Sequence, residues 1–283
     1  MNLSFRTTLR NALQLNVIWW PIKLTLGIPA RIYRLLAEAR AFDFVAAKED
    51  QDFEQTCSQI FPNLEVLHGP FSGMKYPSRT SIGSTLYPKL LGSYEMELSD
   101  TIDYILTQAY TAIIDIGCAE GYYAVGLGQH FKSAKIMAFD INEEARSLCQ
   151  QMAQLNDVEV GLGEFCDTNT LLEFKSEEKA LIFCDCEGYE IELFTPEAAS
   201  AMTRHDFLIE THDYGKIETT QTLTSIFSQT HECQIIESID DTIKAYSYNF
   251  PELASLTLGT RRKILAEDRP QIMRWIFAKA KAQ

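Results

Sequence analysis

Between residues 112 and 210 the sequence alternates short apolar runs with stretches of helical character. Runs that are apolar on both faces, with helices between them, are typical of a parallel sheet wound by right-handed crossovers. The chain of 283 residues, 46% hydrophobic, is long enough for one such α/β domain with helices on both faces of the sheet and additional segments. The predicted strands are 112–116, 135–140, 158–161, 180–185 and 206–210, and the predicted helices between them are 121–130, 142–155 and 188–201.

The flanking sequence predicts three parts. Residues 1–93 form an N-terminal helical segment and, from 62 to 93, a connector broken by prolines and glycines; 94–250 form the main domain; 251–283 form a C-terminal helical extension. A helix over 98–109 is expected to begin with Ser99 as N-cap. After residue 210 we expect a helix near 217–229, a hairpin of 232–238 with 242–248, and a helix that Pro270 opens and that holds Met273, Trp275 and Ile276.

The charge distribution excludes one class of partner. The formal net charge is −14, and an acidic surface of this kind repels nucleic acid. Residues 1–42 and 261–283 are nevertheless both basic, while the body between them is acidic. We expect the basic ends to cover the acidic body or to form a homodimer over it.

Cysteine usage and hydropathy predict a location in the cytoplasm. The seven cysteines are an odd number without the spacing of a disulfide framework, which favours free thiols in a reducing compartment. The apolar stretch 13–36 is interrupted by Pro21, Lys23 and Pro29, so no transmembrane segment is expected. Packing of this stretch on the protein and peripheral contact with a membrane through its tryptophans both remain open.

A glycine loop follows the first predicted strand. Gly117 and Gly121, with the small Ala119 between them, allow a ligand to approach the backbone closely. The second glycine of a dinucleotide fingerprint is absent and Glu120 would repel a phosphate, which argues against NAD. Asp115 and Glu120 instead suit a cofactor with a cationic end, such as S-adenosylmethionine.

Acidic residues also follow three other predicted strands. Asp140 stands where a carboxylate accepts both hydroxyls of a ribose, although it could instead serve only as the N-cap of the next helix. Asp185, Glu187 and Glu190 follow the fourth strand, and Glu210, His212 and Asp213 follow the fifth. Neighbouring parallel strands end at the same edge of a sheet, so Asp185, Glu187, Glu210 and His212 should converge.

Residues 112–215 resemble class I S-adenosylmethionine-dependent methyltransferases of the FkbM type. Their hallmark Asp-x-Glu-Gly-x-Glu is present from Asp185 to Glu190, and the stretch from Asp115 to Gly121 matches their first motif with Cys-Ala-Glu in place of the commoner Gly-Ala-Asn. The resemblance implies a Rossmann-like class I methyltransferase sheet and a role in natural-product biosynthesis. The cofactor-binding residues predicted from the motifs and from the resemblance together are Tyr94, Glu95, Asp115, Gly117, Cys118, Ala119, Glu120, Gly121, Tyr122, Asp140, Ile141, Glu164 and Asp185.

The predicted reaction is methyl transfer to a heteroatom of a small-molecule or peptide acceptor, foremost a hydroxyl oxygen. The catalytic candidates are Asp185, Glu187, Glu210 and His212, with His212 as the base. A Mg²⁺ ion is not expected, although Asp185, Glu210 and His212, or Asp213 in place of His212, could hold one.

Two alternatives use the same residues differently. Glu187 and Glu210 could clamp a guanidine, amide or amine for N-methylation, because two carboxylates pair with a guanidinium fork. A catalytically silent protein that binds a nucleoside and docks through its basic ends is the other alternative.

Overall fold

The computed structural model describes residues 50–213 and 218–281. The chain divides into two compact units, 1–59 and 60–283. In the first, residues 50–59 are helical. The N-terminal helices and basic segment predicted before residue 50 lie outside the described residues. None of the described helices is long and apolar enough to cross a membrane.

The second unit contains seven strands and ten α-helices among the residues described. The strands are β1 (Ala112–Ile116), β2 (Lys135–Phe139), β3 (Gly161–Gly163), β4 (Ala180–Cys184), β5 (Asp206–Thr211), β6 (His231–Glu237) and β7 (Arg274–Ala280). The helices are α1 (Leu86–Leu91), α2 (Ser99–Leu106), α3 (Tyr122–His130), α4 (Glu143–Leu155), α5 (Thr168–Leu172), α6 (Glu190–Leu193), α7 (Pro196–Ala201), α8 (Thr219–Phe227), α9 (Asp241–Ser247) and α10 (Leu258–Leu265).

The strands form one sheet in the order β3-β2-β1-β4-β5-β7-β6. Strands β1 to β5 are parallel, and β7 is inserted antiparallel between β5 and β6. Every residue of β1, β4 and β5 is buried, which explains why these strands read as continuous apolar runs. The expected α/β sheet is confirmed, and its first five strands end at the same edge.

Helices cover both faces of the sheet. On one face Ile114 and Ile182 pack in a core with residues of α5, α7 and α8. On the other face Phe183 stacks on Tyr123 of α3, with ring centroids 3.9 Å apart. The helices alternate with the strands, so the loops at the carboxyl ends of β1, β2, β4 and β5 remain available for a site.

The helix predicted near 217–229 and the strand predicted over 232–238 are confirmed as α8 and β6, but two other C-terminal predictions were wrong. Residues 270–281 form no helix; Met273 precedes β7, and Trp275 and Ile276 are buried within β7. The partner of β6 in its hairpin is β7, because residues 242–247 belong to α9, where Asp240 accepts a hydrogen bond from Thr242 N at 2.8 Å. Residues 273–278 are apolar except for Arg274, and a short apolar run does not distinguish a buried strand from a helix.

Other differences are smaller. The helix predicted over 98–109 spans Ser99–Leu106, and its N-cap is Leu98 without a side-chain hydrogen bond. The helix predicted over 188–201 is divided into α6 and α7, since Thr195 and Pro196 begin a new helix there. The third strand is Gly161–Gly163 rather than 158–161.

Candidate active site

A cavity of about 440 Å³ lies at the carboxyl ends of the central strands. Its volume falls within the roughly 300–1,000 Å³ that is typical of small-molecule sites. Ten of the predicted cofactor residues line it, namely Tyr94, Asp115, Gly117, Cys118, Ala119, Tyr122, Asp140, Ile141, Glu164 and Asp185.

The glycine loop between β1 and α3 gives this cavity its close approach to the backbone. Gly117 has a φ of 86°, and a Cβ there would lie 1.7 Å from the carbonyl oxygen of Asp185. Only glycine fits this contact between the ends of β1 and β4. Ala119 has a φ of 46°, an uncommon conformation for a residue with a side chain. The loop thus keeps a bulky side chain from filling the cavity floor.

Asp115 presents a carboxyl group to the cavity. The residue is 1% exposed, and its Oδ2 atom has no hydrogen-bond partner among the described residues. Burial raises the pKa of this carboxyl to about 7, an effect that a hydrogen bond from Ala124 N partly opposes. A buried acceptor without a partner is costly. The atom therefore fits a ligand that brings a hydrogen-bond donor or a positive charge.

Asp140, directly after β2, is anchored by the backbone. Its Oδ2 accepts a hydrogen bond from Ala119 N at 2.9 Å, and its Oδ1 accepts one from Asn142 N at 2.8 Å. The N-cap of α4 is Asn142, whose side chain accepts from Glu144 N, so Asp140 is not the cap. Each carboxylate oxygen has a second lone pair, which leaves Asp140 able to accept ligand hydroxyls.

Apolar side chains line the outer part of the cavity. Ile141 is 75% exposed and Phe165 is 52% exposed, and both line the cavity together with Tyr189 and Glu164. Large apolar groups at a cavity mouth favour contact with a flat aromatic group such as a nucleobase.

Three predicted cofactor residues do not line this cavity. Glu120 is turned away and forms a buried ion pair with Lys89 of α1, with Nζ 2.6 Å from Oε1. Burial opposes ionisation of Glu120, but Lys89 outweighs it and holds the pKa below its usual value. Gly121 contacts Cys149 instead, and Glu95 accepts a hydrogen bond from Tyr123. The acidity of the glycine loop is therefore carried by Asp115, not by Glu120.

A second cavity of about 120 Å³ adjoins the first. The two share five lining residues, Gly83, Ser84, Tyr94, Asp185 and Glu187. The second cavity adds Glu210 and His212 from the end of β5 and the segment from Glu267 to Pro270. The predicted convergence of the residues after β4 and β5 is thus present in the structure.

His212 is held at the wall of the second cavity. It is 3% exposed, and its Nδ1 lies 2.5 Å from Oε1 of Glu190, which is fully buried at the start of α6. Its Nε2 lies 3.4 Å from both Asp185 Oδ1 and Glu187 Oε2. Burial lowers the pKa of His212, but the hydrogen bond to Glu190 and the charges of Glu190, Glu210 and Glu187 outweigh burial and raise it.

Asp185 connects the two cavities. Burial, followed by the charges of Glu95 and Glu187, raises its pKa to about 8. Glu187 is the next acidic residue along the loop, and with a φ of 55° it is turned outward so that 65% of its side chain is exposed. A neutral acid beside a basic histidine is an arrangement suited to proton transfer.

Glu210 is already paired within the chain. The guanidinium of Arg269 contacts Glu210 and Glu95, and its Nε lies 2.9 Å from Glu267 Oε2. The side chain of Arg269 is 14% exposed. The Glu210 carboxyl group, which the clamp prediction assigns to a substrate guanidine, is therefore bound by the protein's own guanidinium.

The atoms that could hold a divalent ion differ from those predicted. Among the residues described, Asp185, Glu187 and His212 each offer a ligand atom, and these atoms lie within 4.8 Å of one another. Asp213 instead accepts hydrogen bonds from Thr220 N and Oγ1 at 3.0 and 2.6 Å. Oxygen and imidazole ligands of this kind suit several divalent metals.

Sequence reasoning did not find three contributors to the site. Glu190 was visible as part of the Asp-x-Glu-Gly-x-Glu motif, but its contact with His212 depends on the fold. Lys89 lies in the connector, where prolines and glycines gave no element to place it. Arg269 precedes a strand that the sequence did not reveal, so nothing in the sequence indicated its position.

Comparison with known proteins yields structural similarity alone. No protein-family model matches the chain, and no curated protein matches it. A plantazolicin methyltransferase, BpumL, in complex with SAH is 14% identical, with 68% of this chain and 85% of that chain covered and a TM-score of 0.39. Precorrin-6y C5,15-methyltransferase from Geobacter metallireducens is 12% identical, with 64% of this chain and 85% of that chain covered and a TM-score of 0.40. SMU.1697c, a putative methyltransferase from Streptococcus mutans in complex with SAH, is 13% identical, with 64% of this chain and 96% of that chain covered and a TM-score of 0.38.

Proposed function

We propose that the chain is an S-adenosylmethionine-dependent methyltransferase. The observation that carries the proposal is the larger cavity. Around this one space lie a buried carboxyl oxygen of Asp115 that has no partner in the described part of the chain, an anchored Asp140 and the tight Gly117 turn. Asp115 would receive the cationic amino group, Asp140 the ribose hydroxyls, and Ile141 and Phe165 the adenine. When bound, the cofactor supplies an electrophilic methyl group on a sulfonium.

The adjoining second cavity supports an acceptor site. The acceptor must reach the reactive methyl from one side in line with the bond that breaks. The second cavity opens to the first at Tyr94, Asp185 and Glu187, so a group bound there faces the first cavity. It is lined mainly by charged and polar groups, which favours a small polar acceptor over a lipid tail.

His212 supports transfer to a hydroxyl oxygen. A hydroxyl must lose its proton as it attacks, and the Nε2 atom at the cavity wall would take that proton. Glu187, with Oε2 3.4 Å from Nε2, would stabilise the imidazolium that forms. Because Glu210 is bound by Arg269, the structure favours O-methylation over the N-methylation alternative.

The family type, the class of acceptor and the location in the cell are proposed from the sequence. The Asp-x-Glu-Gly-x-Glu motif supports the FkbM type and an acceptor from natural-product biosynthesis, either a small molecule or a peptide. Seven free cysteines among the described residues support a cytoplasmic location.

Thermal unfolding tests the proposal. S-adenosylmethionine at 100 times its dissociation constant should stabilise the full chain by about 2.7 kcal/mol and raise the melting temperature. NAD at the same concentration should have no effect. A shift with NAD and none with S-adenosylmethionine would remove the basis of the proposal.

A second test separates the acceptor site from the cofactor site. His212→Ala and Glu187→Ala should still bind S-adenosylmethionine. They should transfer its labelled methyl group to compounds in a cell extract more slowly than the wild type does. Glu237→Ala, which changes an exposed residue of β6, is the matched control and should transfer normally. Normal transfer by His212→Ala would show that the base is a different residue.

A further inference from the structure

Glu190 contacts His212 but has no role in binding the proposed cofactor or acceptor. Glu190 is fully buried and does not line either of the two cavities. Its Oε1 accepts a hydrogen bond from Gly188 N at 2.9 Å and lies 2.5 Å from His212 Nδ1. A buried glutamate that touches neither ligand space acts through the residue that it contacts.

The backbone fixes both partners of this contact. Gly188 has a φ of 107°, so the chain turns sharply after β4 and directs Glu190 inward at the first residue of α6. Glu190 is thereby held by the loop that carries Asp185 and Glu187. His212 follows β5, whose residues pair with those of β4 in parallel register. The contact therefore joins the ends of two neighbouring strands.

The two nitrogen atoms of His212 face different acidic residues. Nδ1 faces Glu190 from α6, whereas Nε2 faces Asp185 and Glu187 from the loop after β4; Glu210 acts on the ring from β5. Oε1 of Glu190 accepts from Gly188 N, and an oxygen that also accepts from His212 requires a proton on Nδ1. The nitrogen that can gain or lose a proton is then Nε2, at the cavity wall.

We propose that Glu190 is a positioning residue that keeps the proton of His212 on Nδ1 and presents Nε2 to the acceptor cavity. This inference deepens the proposed function and rests on it for its catalytic meaning. The tautomer itself is a property of the chain without cofactor or acceptor. It can thus be tested separately from methyl transfer.

Nitrogen NMR of the full chain with ¹⁵N-labelled histidine measures the tautomer directly. The chain has five histidines, and the His212 signals are those that disappear in His212→Asn. Spectra are recorded at a pH where the imidazole is neutral. His205 is an internal reference of opposite type, because its Nδ1 accepts a hydrogen bond from Ala180 N at 2.9 Å and therefore carries no proton.

Two substitutions of Glu190 complete the test. Glu190→Leu removes the acceptor, and the major tautomer of His212 should change to the form protonated on Nε2. Glu190→Gln keeps an amide oxygen that can accept from Nδ1, so it should restore the wild-type tautomer. His205 should be unchanged in both variants, which shows that the sheet is intact.

The wild-type spectrum alone can overturn the proposal, since a His212 without a proton on Nδ1 contradicts it even if no variant folds. A tautomer that persists in folded Glu190→Leu contradicts it as well. Failure of S-adenosylmethionine to bind would refute the proposed function but leave this result unchanged.

Discussion

Two carboxyl groups at the cavity, Asp115 and Asp185, have surroundings that disfavour their ionisation, with pKa values raised to about 7 and about 8. A carboxyl whose pKa is higher in the folded than in the unfolded state binds more protons when folded. Stability then falls as pH rises from the unfolded pKa of about 4 toward the folded value. In the absence of cofactor we expect both groups to destabilise the fold at neutral pH relative to pH 4.

Asp115→Asn tests this linkage at one residue. Asparagine resembles the neutral acid, so the substitution should change the free energy of unfolding little at pH 4 to 5. At pH 8 it should raise that free energy, by up to a few kcal/mol, because the wild type then carries a buried charge. Urea unfolding at both pH values measures the difference, and equal effects at the two pH values would contradict the raised pKa.

Asp140 tests the ribose contact. Asp140→Ala removes a side-chain hydrogen-bond acceptor and should weaken S-adenosylmethionine binding by about 10- to 100-fold. Asp140→Asn keeps one oxygen for Ala119 N and should bind with intermediate affinity. Asp167→Ala, a change at the half-buried N-cap of α5, is the control and should not alter the affinity measured by calorimetry.

The sequence revealed the residues of the site better than their pairings. Asp115, Asp140 and Asp185 could be predicted because each directly follows a strand that was recognisable as an apolar run. The positions of Glu120 and Glu210 could not be predicted, because the cations that bind them, Lys89 and Arg269, are distant in sequence.

At the scale of elements, α1 is joined to the glycine loop by one buried ion pair. The side chains of Lys89 and Glu120 are 3% and 1% exposed. Lys89→Met should therefore cost about 3–5 kcal/mol of stability, since it leaves the charge of Glu120 buried without its partner. The double variant Lys89→Met with Glu120→Gln should recover most of that loss, and chemical unfolding of the three chains decides whether it does.

The segment before β7 is joined to β5 and to the loop before α2 by Arg269. Arg269→Ala leaves Glu95, Glu210 and Glu267 without their shared partner and should also cost about 3–5 kcal/mol. Arg269→Lys should recover only part of this, because lysine lacks the planar fork of donors. Arg274→Ala removes ion pairs with the exposed Glu237 and with Asp213. It should cost no more than about 1 kcal/mol, because the Arg274 side chain is 42% exposed.

The strands differ in how well they could be predicted from the sequence. Strand β1 was predicted to the residue, and β2, β4 and β5 to within one, because they are apolar runs bounded by helices. Strand β7 was not, since the burial of Trp275 and Ile276 depends on insertion between β5 and β6, which are distant in sequence.

At the scale of the whole molecule, the acidic composition divides into groups with different roles. Glu120 is paired with Lys89, and Glu95, Glu210 and Glu267 share Arg269, whereas Asp115, Asp140 and Asp185 line the larger cavity.

The homodimer predicted through the N-terminal segment involves residues outside those described. If that segment forms the dimer, size-exclusion chromatography should show a dimer for the full chain and a monomer for a chain that begins at residue 43. The same oligomeric state for both chains would contradict the predicted homodimer.

Calorimetric titration of the full chain with S-adenosylmethionine measures directly whether the larger cavity is a cofactor site. We expect one binding site per chain, no heat of binding with NAD, and release of protons near pH 7 as a cationic ligand lowers the pKa of Asp115. Proton release is read from the dependence of the heat on buffer ionisation and should decrease in Asp115→Asn. Absence of S-adenosylmethionine binding, or binding of NAD instead, would show that the cavity is not a site for S-adenosylmethionine.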